Sequence, residues 1–228
     1  MSACGVDAVL FDLGQVLVEW DPFGPFVGRH ERAEVEAFFD EIDFPAFNHL
    51  QDAGRSWADA RASLGRSHPH RLPMLDVYTD HFAHALPGEV PGASDLVHDL
   101  RAVGVRVLGL TNWSAETFHL APVRAPVVAQ LEDVLVSGRL GIAKPDPAVF
   151  AVATARFALD PQRTLFVDDS PANVAAGAAS GFRAVVFTGT DNLRRHLTGL
   201  GLPLPERTHG AVGGHAPSRV DGIPAAPA

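Results

Sequence analysis

The feature of this sequence that most constrains its fold is a set of short apolar runs that each stop abruptly at polar residues. The runs are Ala8 to Phe11 before Asp12, Val105 to Leu110 before Thr111-Asn112, Thr164 to Val167 before Asp168-Asp169, and Ala184 to Phe187 before Thr188-Gly189. Continuous apolar runs of this length are typical of strands that are buried on both faces of a parallel sheet.

Segments with helical periodicity lie between these runs. Leu96, Leu100 and Val103 share one face of a predicted helix. Asp146-Pro147 and Ser170-Pro171 predict the starts of two more, because the first residue caps a helix and proline fits its first turn. Strands that alternate with helices predict an α/β fold with three α/β/α layers, a Rossmann-like parallel sheet covered on both faces.

The stretch from residue 20 to residue 89 breaks this alternation. Val35, Phe38, Phe39 and Ile42 follow the spacing of an amphipathic helix, and no strand pattern is convincing there. We therefore predict a discontinuous core of residues 1–19 and 90–204, with a small helical cap of residues 20–89 inserted after the first strand. Glycine, proline and alanine then replace any periodicity, which predicts a disordered tail of residues 205–228.

Charge and composition limit the classes of partner. The formal net charge is −9, which argues against non-specific binding to nucleic acid or to an anionic membrane. No apolar run approaches the roughly 18 residues that cross a bilayer. The single cysteine, Cys4, allows no intrachain disulfide, and no signal-peptide pattern is evident. We expect a cytoplasmic protein without nucleic-acid or membrane partners, of undetermined oligomeric state.

Polar residues end the predicted strands at the edge of the sheet where ligands bind. Asp12, Thr111-Asn112 and Asp168-Asp169 all stand at such ends, and Lys144 precedes another predicted helix. Each of these alone is typical of a helix cap or a solvated surface. Three neighbouring carboxylates, however, repel one another unless a cation lies among them. Together these residues indicate one functional site.

In their order and context, these residues resemble the four motifs of the haloacid dehalogenase-like superfamily. The motifs are Asp12-Leu13-Gly14-Gln15-Val16, Thr111-Asn112, Lys144-Pro145 and Asp168-Asp169. The sequence is similar to a branch that begins Phe-Asp-Leu-Gly and often continues Trp-Asp-Pro, as Trp20-Asp21-Pro22 does here. That branch includes bacterial sugar-phosphate phosphatases. The resemblance implies a hydrolase, and more specifically a phosphatase that acts on a small phosphorylated metabolite.

The resemblance also implies catalytic and substrate-binding roles. Asp12 would attack phosphorus and form an aspartyl-phosphate, which divides one difficult displacement into two easier ones. Thr111 and Asn112 would hydrogen-bond the phosphoryl oxygens. Lys144 would neutralise the phosphoryl charge and keep Asp12 ionised.

The same resemblance implies a Mg²⁺ site. The Asp12 carboxylate, the Gly14 backbone carbonyl and Asp169 would hold the ion, and Asp168 would assist directly or through a water. A set of oxygen ligands with retained waters suits magnesium. The ion would shield the approach of the anionic phosphate to the anionic nucleophile.

Gly14 departs from the family pattern, because most phosphatases of the superfamily have a second aspartate there. That aspartate protonates the leaving oxygen and later activates water, a contribution of about 10²–10⁴-fold. Three interpretations stay open. The proton comes from another group, such as Glu19, Asp21, a cap residue or water. Alternatively, the protein is a 2-haloacid dehalogenase-type hydrolase, which lacks this aspartate and needs no magnesium. Thirdly, it is catalytically weak and binds a phosphorylated ligand or a protein.

Aromatic residues of the predicted cap also have two interpretations. They are Phe23, Phe26, Phe44, Phe47 and Trp57. They either line the site or form the core of a small helical bundle, and the core is the more common outcome for such residues.

Overall fold

The computed structural model describes residues 5–205, in which five strands form one parallel sheet with helices on both faces. The strands are β1 (Ala8–Phe11), β2 (Arg106–Thr111), β3 (Val134–Val136), β4 (Thr164–Asp168) and β5 (Arg183–Val186). Their order is β3-β2-β1-β4-β5, and every neighbouring pair is parallel. The predicted α/β fold is confirmed. Of the predicted tail, only Pro205 lies within the described residues.

Ten α-helices accompany these strands within residues 5–205. They are α1 (Arg32–Ile42), α2 (Phe44–Asp52), α3 (Trp57–Ser67), α4 (Leu72–Asp80), α5 (Ala93–Ala102), α6 (Ala121–Arg124), α7 (Ser137–Leu140), α8 (Pro147–Phe157), α9 (Pro171–Ala179) and α10 (Thr190–Gly199). None of the helices in this part of the chain is both long enough and apolar enough to cross a membrane.

The predicted helix starts are found where the sequence places them. At α8, the Ala148 backbone N–H donates to Asp146 Oδ1 at 2.8 Å, and proline occupies the first turn. Ser170 takes the N-cap position of α9, although its side chain forms no capping hydrogen bond.

Alternate strand residues build two apolar layers, one on each face of the sheet. Leu10 pairs with Leu108 and Phe166 on the two neighbouring strands, and all three belong to a buried cluster that includes the apolar face of α8. Val9, Phe11, Val107, Leu165 and Val167 belong to a second cluster, together with residues of α5 and α10. The pleat directs successive side chains to opposite faces, which produces the three layers.

Helices α1 to α4 all lie between β1 and α5, in the region predicted as a cap. No strand occurs in residues 20–89, all of which the structure describes. Phe26 and Phe44 are 1% and 4% exposed and contact Tyr78 in an aromatic cluster. Phe47 is also buried and Phe23 packs against the same cluster, whereas Trp57 lines a cavity described below. Most of the aromatic residues therefore form the core of a helical bundle. Its exact boundaries as a domain stay a prediction.

Candidate active site

The parallel register brings the predicted site residues to one edge of the sheet. Phe11 pairs with Gly109 of β2 and with Val167 of β4. The Asp12 N–H donates to the Val167 carbonyl at 2.8 Å, which extends this pairing beyond β1. Asp12 therefore lies between the carboxyl ends of β2 and β4, where Thr111 and Asp168 are found.

Asp12, Asp168 and Asp169 form a carboxylate cluster. One oxygen from each residue lies within 4.8 Å of the others. Asp12 and Asp168 are buried, while Asp169 is exposed at the mouth of the site. Three oxygen donors at this spacing fit a single hard cation.

Lys144 is fully buried beside this cluster. Its Nζ lies 2.9 Å from Asp12 Oδ1 and 2.7 Å from Asp168 Oδ2, and it donates to the Leu110 carbonyl at 2.8 Å. Burial acts to lower the pKa of Lys144, but the two carboxylates outweigh that effect and raise it. The side chain is a buried ammonium with all three protons donated.

One ammonium does not balance three carboxylates. Burial, together with the charges of Asp168 and Asp169, raises the pKa of Asp12 to about 7, against the opposing charge of Lys144. Desolvation and the Asp168 charge also raise the pKa of Asp169. With all four groups ionised the cluster carries a net charge of −2, which a divalent cation offsets. The donor set therefore fits Mg²⁺.

Asp168 is engaged by protein donors through both oxygens. Its Oδ1 accepts from the Ser170 N–H at 2.9 Å and from Asn173 Nδ2 at 3.0 Å, and its Oδ2 accepts from Lys144. This geometry makes Asp168 the anchor of Lys144, and its assistance to a metal stays a prediction. Asn173 was not predicted as a site residue, because the sequence does not show which side chain an asparagine in the first turn of a helix will contact.

Thr111 and Asn112 are adjacent but differ in their contacts. The Thr111 hydroxyl is buried and has no hydrogen-bond partner among the described residues, which fits the predicted contact with a phosphoryl oxygen. Asn112 Nδ2 donates to the Lys144 carbonyl at 2.8 Å, and its Oδ1 accepts from the Lys144 N–H at 2.8 Å. The Asn112 amide thus fixes the Lys144 backbone, a contact that its predicted phosphoryl role does not include.

A cavity of about 120 Å³ opens beside these residues. Gly14 and Asn112 line it on the sheet side, and Asn48, Asp52, Trp57 and Tyr78 line it on the helical side. Trp57 Nε1 is a buried donor without a partner in the described part of the chain. Sequence reasoning did not identify Asn48 or Asp52, which lie one turn apart on α2.

Comparison with known proteins agrees with this fold. A family model described as haloacid dehalogenase-like hydrolase matches residues 6–181. The chain therefore belongs to the haloacid dehalogenase-like hydrolase family, as the four motifs predict.

The relatives include a cyclase and phosphatases. The chain is 26% identical over 212 residues to drimenol cyclase drtB of Aspergillus calidoustus, and the match covers 86% of this chain but 36% of the cyclase. It is 38% identical over 92 residues to phosphoglycolate phosphatase of Nitrosospira multiformis, and that match covers 40% of each protein. The chain thus spans well under two thirds of both relatives.

A solved structure shares the fold. It is a wild-type enzyme of the haloacid dehalogenase family from Bacteroides thetaiotaomicron, in complex with magnesium and inorganic phosphate. The TM-score is 0.64 at 21% identity, and the match covers 81% of this chain and 95% of that one.

Proposed function

We propose that this protein is a magnesium-dependent phosphatase of the cytoplasm that hydrolyses a small phosphate monoester, such as a sugar phosphate. The observation that carries the proposal is the buried Asp12 carboxylate, which lies 2.9 Å from Lys144 Nζ and is grouped with Asp168 and Asp169. The phosphoglycolate phosphatase relative and the phosphate complex of the Bacteroides enzyme support the same chemistry.

In this proposal Asp12 attacks phosphorus and forms an aspartyl-phosphate, which water then hydrolyses. Asp12 Oδ1 accepts from the Leu13 N–H at 2.7 Å and from Lys144, so the carboxylate is held in one orientation. Lys144 also offsets the phosphoryl charge as the substrate approaches.

Asp12, Asp169 and the Gly14 carbonyl would hold magnesium, with Asp168 assisting. When bound, the ion would neutralise charge on the phosphoryl oxygens and let the anionic groups meet. The unpaired Thr111 hydroxyl supplies one hydrogen bond to the phosphoryl group.

The cavity accommodates the alcohol part of the ester. Its volume of about 120 Å³ suits a small leaving group. The unpaired Trp57 Nε1 offers a hydrogen bond to a hydroxyl, and Trp57 and Tyr78 offer apolar ring surface. The helices of residues 20–89 act as a cap that keeps bulk water from the site.

Phosphate release from a panel of sugar phosphates, nucleotides and p-nitrophenyl phosphate tests this function. We expect turnover with Mg²⁺ that is lost in EDTA. Asp12→Asn should lower kcat by a factor on the order of 10⁴ or more, because it removes the nucleophile. Asp40→Asn, which changes an exposed carboxylate of α1, is the matched control and should retain full activity.

A binding assay and a halide-release assay separate the two alternatives. Tight binding of phosphorylated compounds without any release of phosphate would identify a binding protein. Release of halide from 2-haloacids without a need for magnesium would identify a dehalogenase. We favour the phosphatase because Asp169 completes a group of three carboxylates that suits a cation, and displacement of halide needs no cation.

A further inference from the structure

Gly14 leaves the proposed reaction without a proton carrier beside the nucleophile. A Cβ added at Gly14 meets no atom within 4 Å, so packing does not exclude a side chain there. Neither Glu19 nor Asp21 lines the cavity, which leaves a residue of the cap, or water, as the proton carrier. Asp21 Oδ1 instead accepts from the Phe23 N–H at 2.9 Å in a local turn.

Asp52 has the only carboxyl group among the cavity-lining residues that the structure describes. It is the last residue of α2, and it shares the cavity wall with Gly14 and Asn112. Its Oδ2 accepts from Asn48 Nδ2 at 3.3 Å, while none of the described residues donates to its Oδ1. One carboxyl oxygen is therefore available to a bound molecule.

The chain just after α2 is held against the sheet side of the site. Gly54 has φ +99°, and a Cβ there would lie 3.2 Å from Gly141 Cα and 3.3 Å from the Gly138 carbonyl oxygen. Further along the chain, the backbone N–H of Trp57 donates to Glu116 Oε1 at 2.9 Å. These contacts fix the position of Asp52 relative to the loop that follows β2 and to α7, which follows β3.

The surroundings of Asp52 suit proton exchange near neutral pH. Burial and the Asp12 charge together raise the pKa of Asp52 to about 7, against the opposing charge of Lys144. Tyr78 also faces it, and burial and the Asp52 charge raise the pKa of Tyr78. Arg55, three residues after Asp52, donates to the Phe47 carbonyl at 2.9 Å. A carboxyl that titrates in this range gives up and regains a proton readily.

We propose that Asp52 is the general acid and base of this site, a role that rests on the proposed phosphatase function. As Asp12 attacks, the bond from phosphorus to the leaving oxygen breaks, and the Asp52 proton passes to that oxygen. Water then attacks the aspartyl-phosphate and gives its proton to the Asp52 carboxylate. The bond from phosphorus to Asp12 breaks, phosphate leaves, and both carboxyl groups return to their starting states.

Asp52→Asn tests this role with two substrates. An alkyl phosphate has a leaving oxygen that needs a proton, whereas p-nitrophenolate leaves without one. We expect kcat/KM to fall by about 10²–10⁴-fold for the alkyl phosphate and by less than about fivefold for p-nitrophenyl phosphate. The variant should also release a burst of nitrophenolate, because hydrolysis of its aspartyl-phosphate is slow. The alkaline limb of the wild-type pH profile for the alkyl phosphate should disappear.

Normal formation of the aspartyl-phosphate from p-nitrophenyl phosphate shows that the Asp52→Asn protein is folded. The control variant, Asp40→Asn, should turn over both substrates at the wild-type rate. A second variant, Asp52→Ala, leaves a space in which added formate should restore turnover of the alkyl phosphate. Equal losses on both substrates, or no loss on either, overturn the role of Asp52 while the phosphatase function stands. Absence of wild-type turnover with either substrate overturns the phosphatase function, and the role of Asp52 with it.

Discussion

Some residues at this site hold Lys144 in position, and others have polar groups that are free to contact a ligand. Asp12 and Asp168 hold the ammonium, and Asn112 pairs with both backbone polar groups of Lys144. Thr111, one position earlier, has a buried hydroxyl without a partner in the described chain. Two neighbouring residues of one motif are therefore expected to act differently when they are replaced.

Asn112→Ala should lower the free energy of unfolding by about 1–3 kcal/mol, because two backbone groups of Lys144 lose their partners. Thr111→Val, which keeps the shape and removes the unpaired hydroxyl, should change it by less than about 1 kcal/mol. It should nevertheless weaken the binding of inorganic phosphate. Urea unfolding and titration calorimetry measure these effects. A Thr111→Val protein with normal phosphate affinity would remove Thr111 from the ligand site.

The residues at the strand ends could be predicted because a buried run and its polar stop are adjacent in sequence. Asn173 and Asp52 could not be predicted in the same way. Asn173 meets Asp168 through the rotation of α9, and Asp52 reaches the cavity from α2. Both placements depend on helix phase and tertiary packing, which no local pattern encodes.

Among the elements, α9 packs closely on β4 at Gly177. A Cβ on Gly177 would lie 2.6 Å from Phe166 Cδ1 and 3.3 Å from Phe150 Cε1. Both phenylalanines are completely buried. Because α9 follows directly after Asp168-Asp169, its distance from the sheet also determines where Asn173 meets Asp168.

Gly177→Ala should therefore destabilise the protein by about 1–3 kcal/mol, because the added methyl overpacks a full core. Gly65→Ala in α3 is the matched control, since its nearest atom is Leu72 Cδ1 at an ordinary 3.5 Å. That change should stabilise the protein by up to about 1 kcal/mol through helix propensity. Urea unfolding compares the two variants. Similar stabilisation by both would show that α9 has room to move.

Long periodic elements were predictable, and short ones were not. The sequence predicts β1, β2, β4 and β5, but it does not reveal the three-residue β3, whose position depends on pairing with β2. In the sequence, Leu75, Tyr78, Phe82 and Leu86 form one apolar stripe. In the structure, however, α4 ends at Asp80 and a 3-10 helix, Phe82–Ala85, follows. A stripe reports which side is buried, while hydrogen bonding determines where a helix ends.

Across the whole molecule, raised carboxyl pKa values link stability to pH. Burial raises the pKa of Asp12 and of Asp52 to about 7. In the unfolded chain both groups titrate near 4. Between these values the folded protein binds more protons than the unfolded one. The stabilising contribution is therefore complete below about pH 4 and is lost as the pH rises through 7.

Metal-free protein should accordingly lose stability between pH 5 and pH 8, and Asp12→Asn and Asp52→Asn should each reduce that slope. Mg²⁺ should restore stability at pH 8 by about 2.7 kcal/mol at 100 times its Kd, because it binds the folded cluster. Urea unfolding with EDTA or Mg²⁺ measures both effects. If neither variant alters the pH dependence of the free energy of unfolding, that dependence does not come from Asp12 and Asp52.

The layered fold and the helical insertion could be predicted because apolar runs alternate with helices and the alternation stops between residues 20 and 89. The way in which the helices pack on the sheet could not be predicted. It depends on contacts such as the Trp57 N–H with Glu116 Oε1, which join segments far apart in sequence.

The position of β1 at the centre of the sheet also has a consequence for how the chain folds. β1 leaves the ribosome before the other strands of this sheet, and its two partners, β2 and β4, are made much later. Until Thr164–Asp168 has been synthesised, one edge of a wholly apolar strand lacks its hydrogen-bonding partner. Such long-range pairing is slow, and an open apolar edge attracts other chains. Chains that stop short of β4 should therefore aggregate rather than accumulate as a soluble partial fold.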